Sequence, residues 1–264
     1  MKAPINIYVG FDSREPEAYQ VCHTTLTKYN SMDFSVKVIP LKHQNLRDSG
    51  LFYRRWVIDE QGQYWDELDG KPFSTEFSHS RFAVQQSATK VHKQQGWTMF
   101  VDCDFLFRSP VEDLFDYVND KYAVMCVKFD WTPNNTIKMD NKIQTGYPRK
   151  LWSSLMLWNL DHPSHERMGY YKLNEADGID LHTFSWLKDE EIGTIPPEWN
   201  YVPGVTKINK EPAAVHFSEG GPWFKGYENV PYAEAWNTAL NKSYLDKGSY
   251  NSWKFYDNKS SNVL

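Results

Sequence analysis

The sequence predicts an α/β domain with a central mixed, mostly parallel sheet flanked by helices. Three observations carry that expectation. Ile5 to Val9 is a short apolar run ending at Gly10, Glu17 to Tyr29 carries a helical pattern, and Ser35 to Leu41 alternates apolar and polar residues. A strand, a helix and a strand in that order make a βαβ unit, the start of a parallel sheet. Downstream the same alternation continues: a helical stretch from Ser78 to Gln95 leads into the apolar run Met99-Phe-Val101, which reads as a buried strand.

The remaining elements follow in order. Asp12 to Pro16 is a loop between the first strand and helix. His43 to Gly70 mixes charges and tryptophans without a period, and is expected to be an irregular excursion with short helices. Gly96 is placed as the C-cap of the Ser78–Gln95 helix. After Pro110, Val111 to Val118 reads as a short helix and Tyr122 to Val127 as a strand. Lys128 to Lys150, with Pro133, Asn134, Asn135, Asn141 and Gly146, marks a long loop. Leu155 to Trp158 is a strand, and Leu181 to Leu187 a helix or helical turn. Ile192 to Asn200 carries Pro196-Pro197, and Ala213 to Phe217 is a late strand before the turn Glu219-Gly-Gly-Pro222. Tyr232 to Leu245 is a C-terminal helix, with a polar tail from about residue 248. No repeat or low-complexity linker divides the chain, so residues 1–264 are expected to form one domain.

Composition excludes several classes. A net charge of −5 argues against a general nucleic-acid binder. Cys22, Cys103 and Cys126 are odd in number and widely spaced, which fits a reducing cytoplasm and lacks zinc-finger spacing. The N-terminus has no long apolar h-region, and no run approaches the ~18 apolar residues of a membrane span. The expected location is therefore cytoplasmic. The 16% aromatic content suits sugar stacking and an ordinary core alike.

The chemistry concentrates where Trp97 to Val101 meets Asp102-Cys-Asp104. In an extended chain, residues i and i+2 share a face, so the two carboxylates converge. The carboxyl end of a buried strand is where open α/β sheets bind ligands. Two acids there repel unless a cation neutralises them, and hard oxygen ligands suit Mg²⁺ or Mn²⁺. The bland alternative is a pair of acids capping a turn. A second cluster, Ala213-Ala-Val-His-Phe-Ser-Glu-Gly-Gly-Pro-Trp-Phe224, puts His216 at a strand end before two glycines that permit close backbone approach. His216 is read as a third metal ligand, against the plain alternative of a core histidine bonded to a carbonyl. His79, His162, His165 and His182 have no spacing that forces a metal site; of these only His182, near Asp180, draws notice. Trp199-Asn-Tyr201 and Pro222-Trp-Phe224 suit sugar stacking or core packing, and Arg54-Arg55 and Arg149-Lys150 read as solvated faces.

With these motifs in this order, the chain resembles GT-A-fold glycosyltransferases. The resemblance is strongest to the retaining family 8 group of glycogenin-like and bacterial lipopolysaccharide hexosyltransferases. It rests on Ile5-Asn-Ile-Tyr-Val-Gly-Phe-Asp12, Ser80-Arg-Phe-Ala83, Phe100-Val-Asp-Cys-Asp-Phe-Leu106 and Val215-His-Phe with Gly221-Pro-Trp223. It implies a GT-A-like Rossmann-type sheet and a metal-dependent transfer of a hexose from a nucleotide-sugar donor, a UDP-hexose, with retention of configuration. Asp102 and Asp104 would bind Mn²⁺ or Mg²⁺ and the donor diphosphate, with His216 as third ligand. Gly10 and Asp12 would read the base, and Arg81 would approach the donor sugar or diphosphate as a fork of donors.

Three departures are visible. Trp152-Ser153-Ser154 stands where the family has Asn-Ala-Gly, so Ser153 and Ser154 are assigned to sugar hydroxyls. Asp177-Gly-Ile-Asp180 stands for the family's Asp-Gln-Asp, with Asp180 or Asp177 the sugar contact and the usual glutamine absent. Gly221 replaces a lysine, so Gly220 is placed in the binding turn and Lys225 as the phosphate neutraliser. The Lys128–Lys150 loop is the candidate lid. The acceptor is left open. Two rival readings are a Mg²⁺-dependent nucleotidyltransferase or sugar-nucleotide hydrolase, and a non-catalytic nucleotide- or carbohydrate-binding module.

Overall fold

The opening βαβ unit forms as its pattern requires. In the computed structural model, which describes residues 4–31, 33–130 and 148–245, β1 (Ile5–Gly10) lies parallel to β2 (Val36–Leu41). They are joined by α1 (Pro16–Thr27), which starts on a proline whose fixed φ suits the first helical turn. A short α2 (His43–Asp48) follows. The stretch expected to be irregular then folds into a small antiparallel sheet of β3 (Trp56–Ile58), β4 (Tyr64–Asp66) and β5 (Pro72–Phe73). Strands of two or three residues are too short to show a period, which is why they escape detection from sequence. A buried ion pair secures this sheet: Arg54 Nε and Nη2 donate to Asp66 at 2.9 and 2.6 Å, with both side chains 1% exposed.

The expected long helix over Ser78–Gln95 is corrected to three short pieces. They are a 3₁₀ turn Ser80–Ala83, α3 (Val84–Gln86) and a π-turn Ser87–Val91. Nearly every side chain from Phe77 to Ala88 is buried, including Ser78, His79, Ser80 and Arg81. A segment enclosed on all sides has no amphipathic face to hold one regular helix, and its turns adjust to fit its neighbours. Gly96 is not its C-cap: the helical pieces end at Val91, and Gly96 instead lies just before the next strand.

That strand is β6 (Trp97–Val101), followed after a turn by β7 (Phe105–Phe107), α4 (Glu112–Phe115) and β8 (Val124–Cys126). Residues 131–147, most of the candidate lid, lie outside the described residues, as does the tail beyond residue 245. β9 (Leu155–Asn159), α5 (Gly169–Glu175) and α6 (Gly178–His182) follow. α6 begins and ends earlier than the expected Leu181–Leu187 turn. Then come β10 (Ile192–Thr194), which the sequence does not announce, β11 (Ala214–His216) and α7 (Ala233–Leu245).

The main sheet has the order β10-β8-β9-β6-β1-β2. Only β9 runs against the other five strands, so the sheet is mixed and mostly parallel. β6 and β9 occupy its centre, with Met99, Phe100, Val101 and Leu155 to Trp158 fully buried, as strands covered on both faces must be. A second sheet pairs β7 with β11. Among the described residues, no helix is long and apolar enough to cross a membrane.

Candidate active site

Two strand pairings build the acidic centre. β6 ends at Val101 opposite Leu155, and the Asp102 N–H donates to the Ser154 carbonyl at 2.8 Å. Asp102, Cys103 and Asp104 form the turn from β6 into β7, so the carboxylates converge through a turn rather than through the pleat of one strand. β7 then pairs antiparallel with β11, which sets His216 opposite Phe105. The Phe217 N–H donates to the Asp104 carbonyl at 3.0 Å. More than a hundred residues of sequence separation are thereby closed, and His216 Nε2 stands 3.4 Å from Asp104 Oδ1.

One ligand atom from each of Asp102, Asp104 and His216 lies within 4.8 Å of the other two. Two unit charges at that limit repel by roughly 1–3.5 kcal/mol for an effective dielectric between 80 and 20. A divalent cation converts this repulsion into ligation. Cys103, between the two acids, is no competitor: burial, and then the neighbouring Glu15 and Asp104 carboxylates, push its thiol well above the usual range.

Hydrogen bonds fix which imidazole nitrogen faces the acids. The Ser154 hydroxyl donates to the Leu151 carbonyl at 2.7 Å, so it accepts from Asn200 Nδ2 at 2.8 Å. The other end of that amide, Oδ1, then faces His216 Nδ1 at 2.9 Å. An amide oxygen only accepts, so Nδ1 carries the proton and Nε2 presents its lone pair toward Asp104. Phe105 stacks on the imidazole at 4.4 Å and holds its plane. Two carboxylate oxygens and a neutral imidazole nitrogen make a donor set that fits Mn²⁺ or Mg²⁺. Asn200, which the sequence offered only within an aromatic stretch, is the buried residue orienting this ligand.

Arg81 joins this centre to the rest of the cleft. Its Nη1 lies 2.8 Å from Asp102 Oδ1 and donates to the Ser153 carbonyl at 3.0 Å. The guanidinium also rests against the Phe77 and Phe100 rings. The Ser153 hydroxyl is 2.9 Å from His182 Nδ1, and the His182 ring lies beside that of His79. Asp69, His79 and Gly178 close this end of the cleft, with the Gly178 N–H donating to Asp69 Oδ2 at 3.0 Å. Both imidazoles are held neutral. Burial, then the Arg54 charge, brings His79 down to about 3, and burial with Arg81 depresses His182 well below its ordinary value. The opposite end is lined by Glu15, Ser218, Trp223 and Phe224, with Trp223 Nε1 donating to Glu15 at 3.2 Å.

The structure thus gathers Asp102, Asp104, His216, Arg81, Ser153 and Ser154 around one cleft. The other expected residues stand apart from its lining. Gly10 ends β1, packed so closely on Phe77 that a Cβ would sit 2.6 Å from the ring. Asp12 is fully buried and engaged, with Arg14 at 3.0 and 2.7 Å and the Glu76 N–H at 3.1 Å. Asp180 is exposed, and Asp177 faces Lys71 at 3.8 Å. Gly220 makes the turn after β11 at φ +125°, backbone that favours glycine, and Lys225 is exposed beyond it. Lys150, read as a solvated face, lines the cleft instead. His162 and His165 are structural: His162 accepts the Ser164 N–H at 3.2 Å, and His165 Nε2 meets the Asn159 carbonyl at 2.9 Å.

No family model matches the chain. Solved structures share its fold at low identity. The galactosyltransferase LgtC in complex with donor and acceptor sugar analogues superposes with a TM-score of 0.54 at 12% identity, over 90% of this chain and 96% of that one. The bifunctional glycosyltransferase WbbM in its apo form gives 0.55 at 12% identity over 90% of this chain; the chain spans about half of WbbM, 52%. These neighbours establish a GT-A-like fold. Protein CDI of Arabidopsis thaliana is 43% identical over 240 residues, covering 89% of this chain and 85% of that protein. At that identity and coverage, this protein belongs to the family of Arabidopsis Protein CDI, built on the GT-A glycosyltransferase fold.

Proposed function

We propose that the protein is a metal-dependent glycosyltransferase that moves a hexose from a nucleotide-sugar donor, a UDP-hexose, to an acceptor nucleophile with retention of configuration. The observation that carries this reading is the triad Asp102, Asp104 and His216 in one cleft at the carboxyl end of β6. Asp102, Asp104 and His216 would hold a divalent cation there, which would supply positive charge to a departing diphosphate. The chain's own groups prepare the site for that charge. Asn200 presents His216 Nε2, and Arg81 fixes Asp102 while keeping its own charge beside the acidic pair. Lys150 on the cleft wall adds a further cation. A diphosphate stabilised this way departs without a carboxylic acid to protonate it, unlike the leaving group of a glycosidase. The donor and acceptor sugar analogues bound to LgtC support the same use of the fold here.

Incubation with UDP-glucose or UDP-galactose and Mn²⁺, without acceptor, tests the reading. Slow release of UDP with free hexose is the expected outcome. Release of UMP with sugar 1-phosphate, by attack of water on the diphosphate, would make the protein a nucleotide-sugar pyrophosphatase. No stabilisation by UDP with Mn²⁺ in a thermal-shift assay would remove the donor site altogether.

A further inference from the structure

We propose that His79, lodged in the space left open by Gly178, reads a hydroxyl of the transferred sugar. The inference rests on the nucleotide-sugar reading of the cleft and names the residue that recognises the sugar.

His79 precedes the 3₁₀ turn that carries Arg81, and the residue lines the cleft while only 8% exposed. Phe73 meets it edge-on at 5.0 Å, and His182 lies 6.4 Å away. A Cβ on residue 178 would stand 2.7 Å from His79 Nε2. Any side chain at 178 would therefore evict the imidazole. The chain places a glycine there, at the first residue of α6, and the histidine fills the vacated position. No hydrogen bond joins the His79 side chain to another of the described residues, and the residue lines the cleft. A neutral imidazole offers one donor and one acceptor, and a sugar hydroxyl offers the same pair in reverse. Burial and the flanking Arg54 and Arg81 keep the ring neutral, against the pull of Asp69.

The arrangement of the cleft decides which part of the donor lies here. The acidic centre touches both ends: through Arg81, Ser153 and His182 to His79, and through His216 and Phe217 to Trp223. A diphosphate at the acidic centre sends the nucleoside one way and the sugar the other. Flat Trp223 and Phe224 suit a planar base, which leaves the imidazole end for the polyhydroxylated ring.

The test measures affinities in Mn²⁺ for UDP and for the better bound of UDP-glucose and UDP-galactose, in the parent protein, His79→Leu, His79→Gln and Gly178→Ala. His79→Leu should weaken the UDP-hexose about 10-fold, the range of one lost hydrogen bond, with UDP unchanged. Gly178→Ala, which displaces the ring, should do the same, and His79→Gln should recover part of the loss. Unchanged UDP binding also shows that each variant is folded. If His79→Leu and Gly178→Ala alter UDP and UDP-hexose equally, or alter neither, the inference is wrong while the donor site stands. If the parent binds no UDP compound, the nucleotide-sugar reading fails and the inference falls with it.

Discussion

The two ends of the cleft are built on different principles. The acidic end sits at strand termini, where sheet register sets each side chain: Val101 opposite Leu155, and Phe105 opposite His216. The imidazole end hangs on turns and short helices, and a buried ion pair does there what strand pairing does at the other end. Arg54 grips Asp66 and the Ala176 carbonyl, and lies 3.7 Å from Asp69, so the small sheet and the entry to α6 are tied together. A site on paired strands inherits its geometry from the backbone, whereas a site on connections depends on individual polar contacts.

Removing one such contact is the harshest test of that contrast. Asp66→Ala leaves the Arg54 charge buried with its main partner gone, a situation that costs about 3–5 kcal/mol. Urea unfolding should show this loss. In the folded variant, discrimination between UDP-hexose and UDP should shrink while Mn²⁺ affinity holds. Equal loss of both at the two ends would show that the ends are not separately supported.

Asp104→Asn strikes the other end. It removes a charged ligand and should lower Mn²⁺-dependent UDP affinity by more than about 100-fold, beyond the usual cost of a change outside the ligand set. It also relieves repulsion between the two carboxylates, so the metal-free protein should melt no lower than the parent. Calorimetric titration of Mn²⁺ and UDP, with a melting curve in chelator, checks both halves. Retained UDP binding in Mn²⁺ would sink the triad.

The same contrast explains what could be read before the fold was known. Asp102, Asp104 and His216 were legible because apolar strands announce their own ends, and the carboxyl ends of strands in an α/β sheet carry ligands. The route to their convergence was not: the acids meet across a turn, and β7–β11 pairing is a long-range choice that no local pattern encodes. His79 has no telling spacing to other metal-type residues, and its meaning lies in contact with Gly178, about a hundred residues away. Asp180 matched a motif by order, yet the short turn of α6 leaves it exposed and presents Gly178 and Ile179 to the cleft. Asn200 lacked any sequence signal, since its role is defined by two side chains, Ser154 and His216, that only folding brings near.

Asn200→Ala tests a subtler part of the acidic end. It spares all three ligands but frees the His216 tautomer and ring. Mn²⁺ affinity should fall about 10- to 100-fold, with the carboxylates untouched. An unchanged Mn²⁺ isotherm would mean that Phe105 stacking alone suffices to orient the ring.

The smallest effect separates the ends by pH rather than by metal. Buried and half-buried histidines hold depressed values in the fold: His43 and His165 down to about 4 and His79 down to about 3, mainly through desolvation, and His182 well below the ordinary range for the same reason. The unfolded chain takes up these protons near 6.5, while the folded chain refuses them until lower pH. The unfolded state therefore binds more protons in that window, and stability rises with pH through it. It is fully present above about 6.5 and is lost as pH falls toward these depressed values. Melting temperature in metal-free buffer should drop as pH goes from 7.5 to 4.5. His79→Gln removes one of the responsible groups and should flatten the slope by about 2–4 °C per pH unit at its steepest, one proton's worth for a domain of this size. An equal slope in parent and variant would show that His79 titrates alike in both states, and that the imidazole end is wetter than its burial implies.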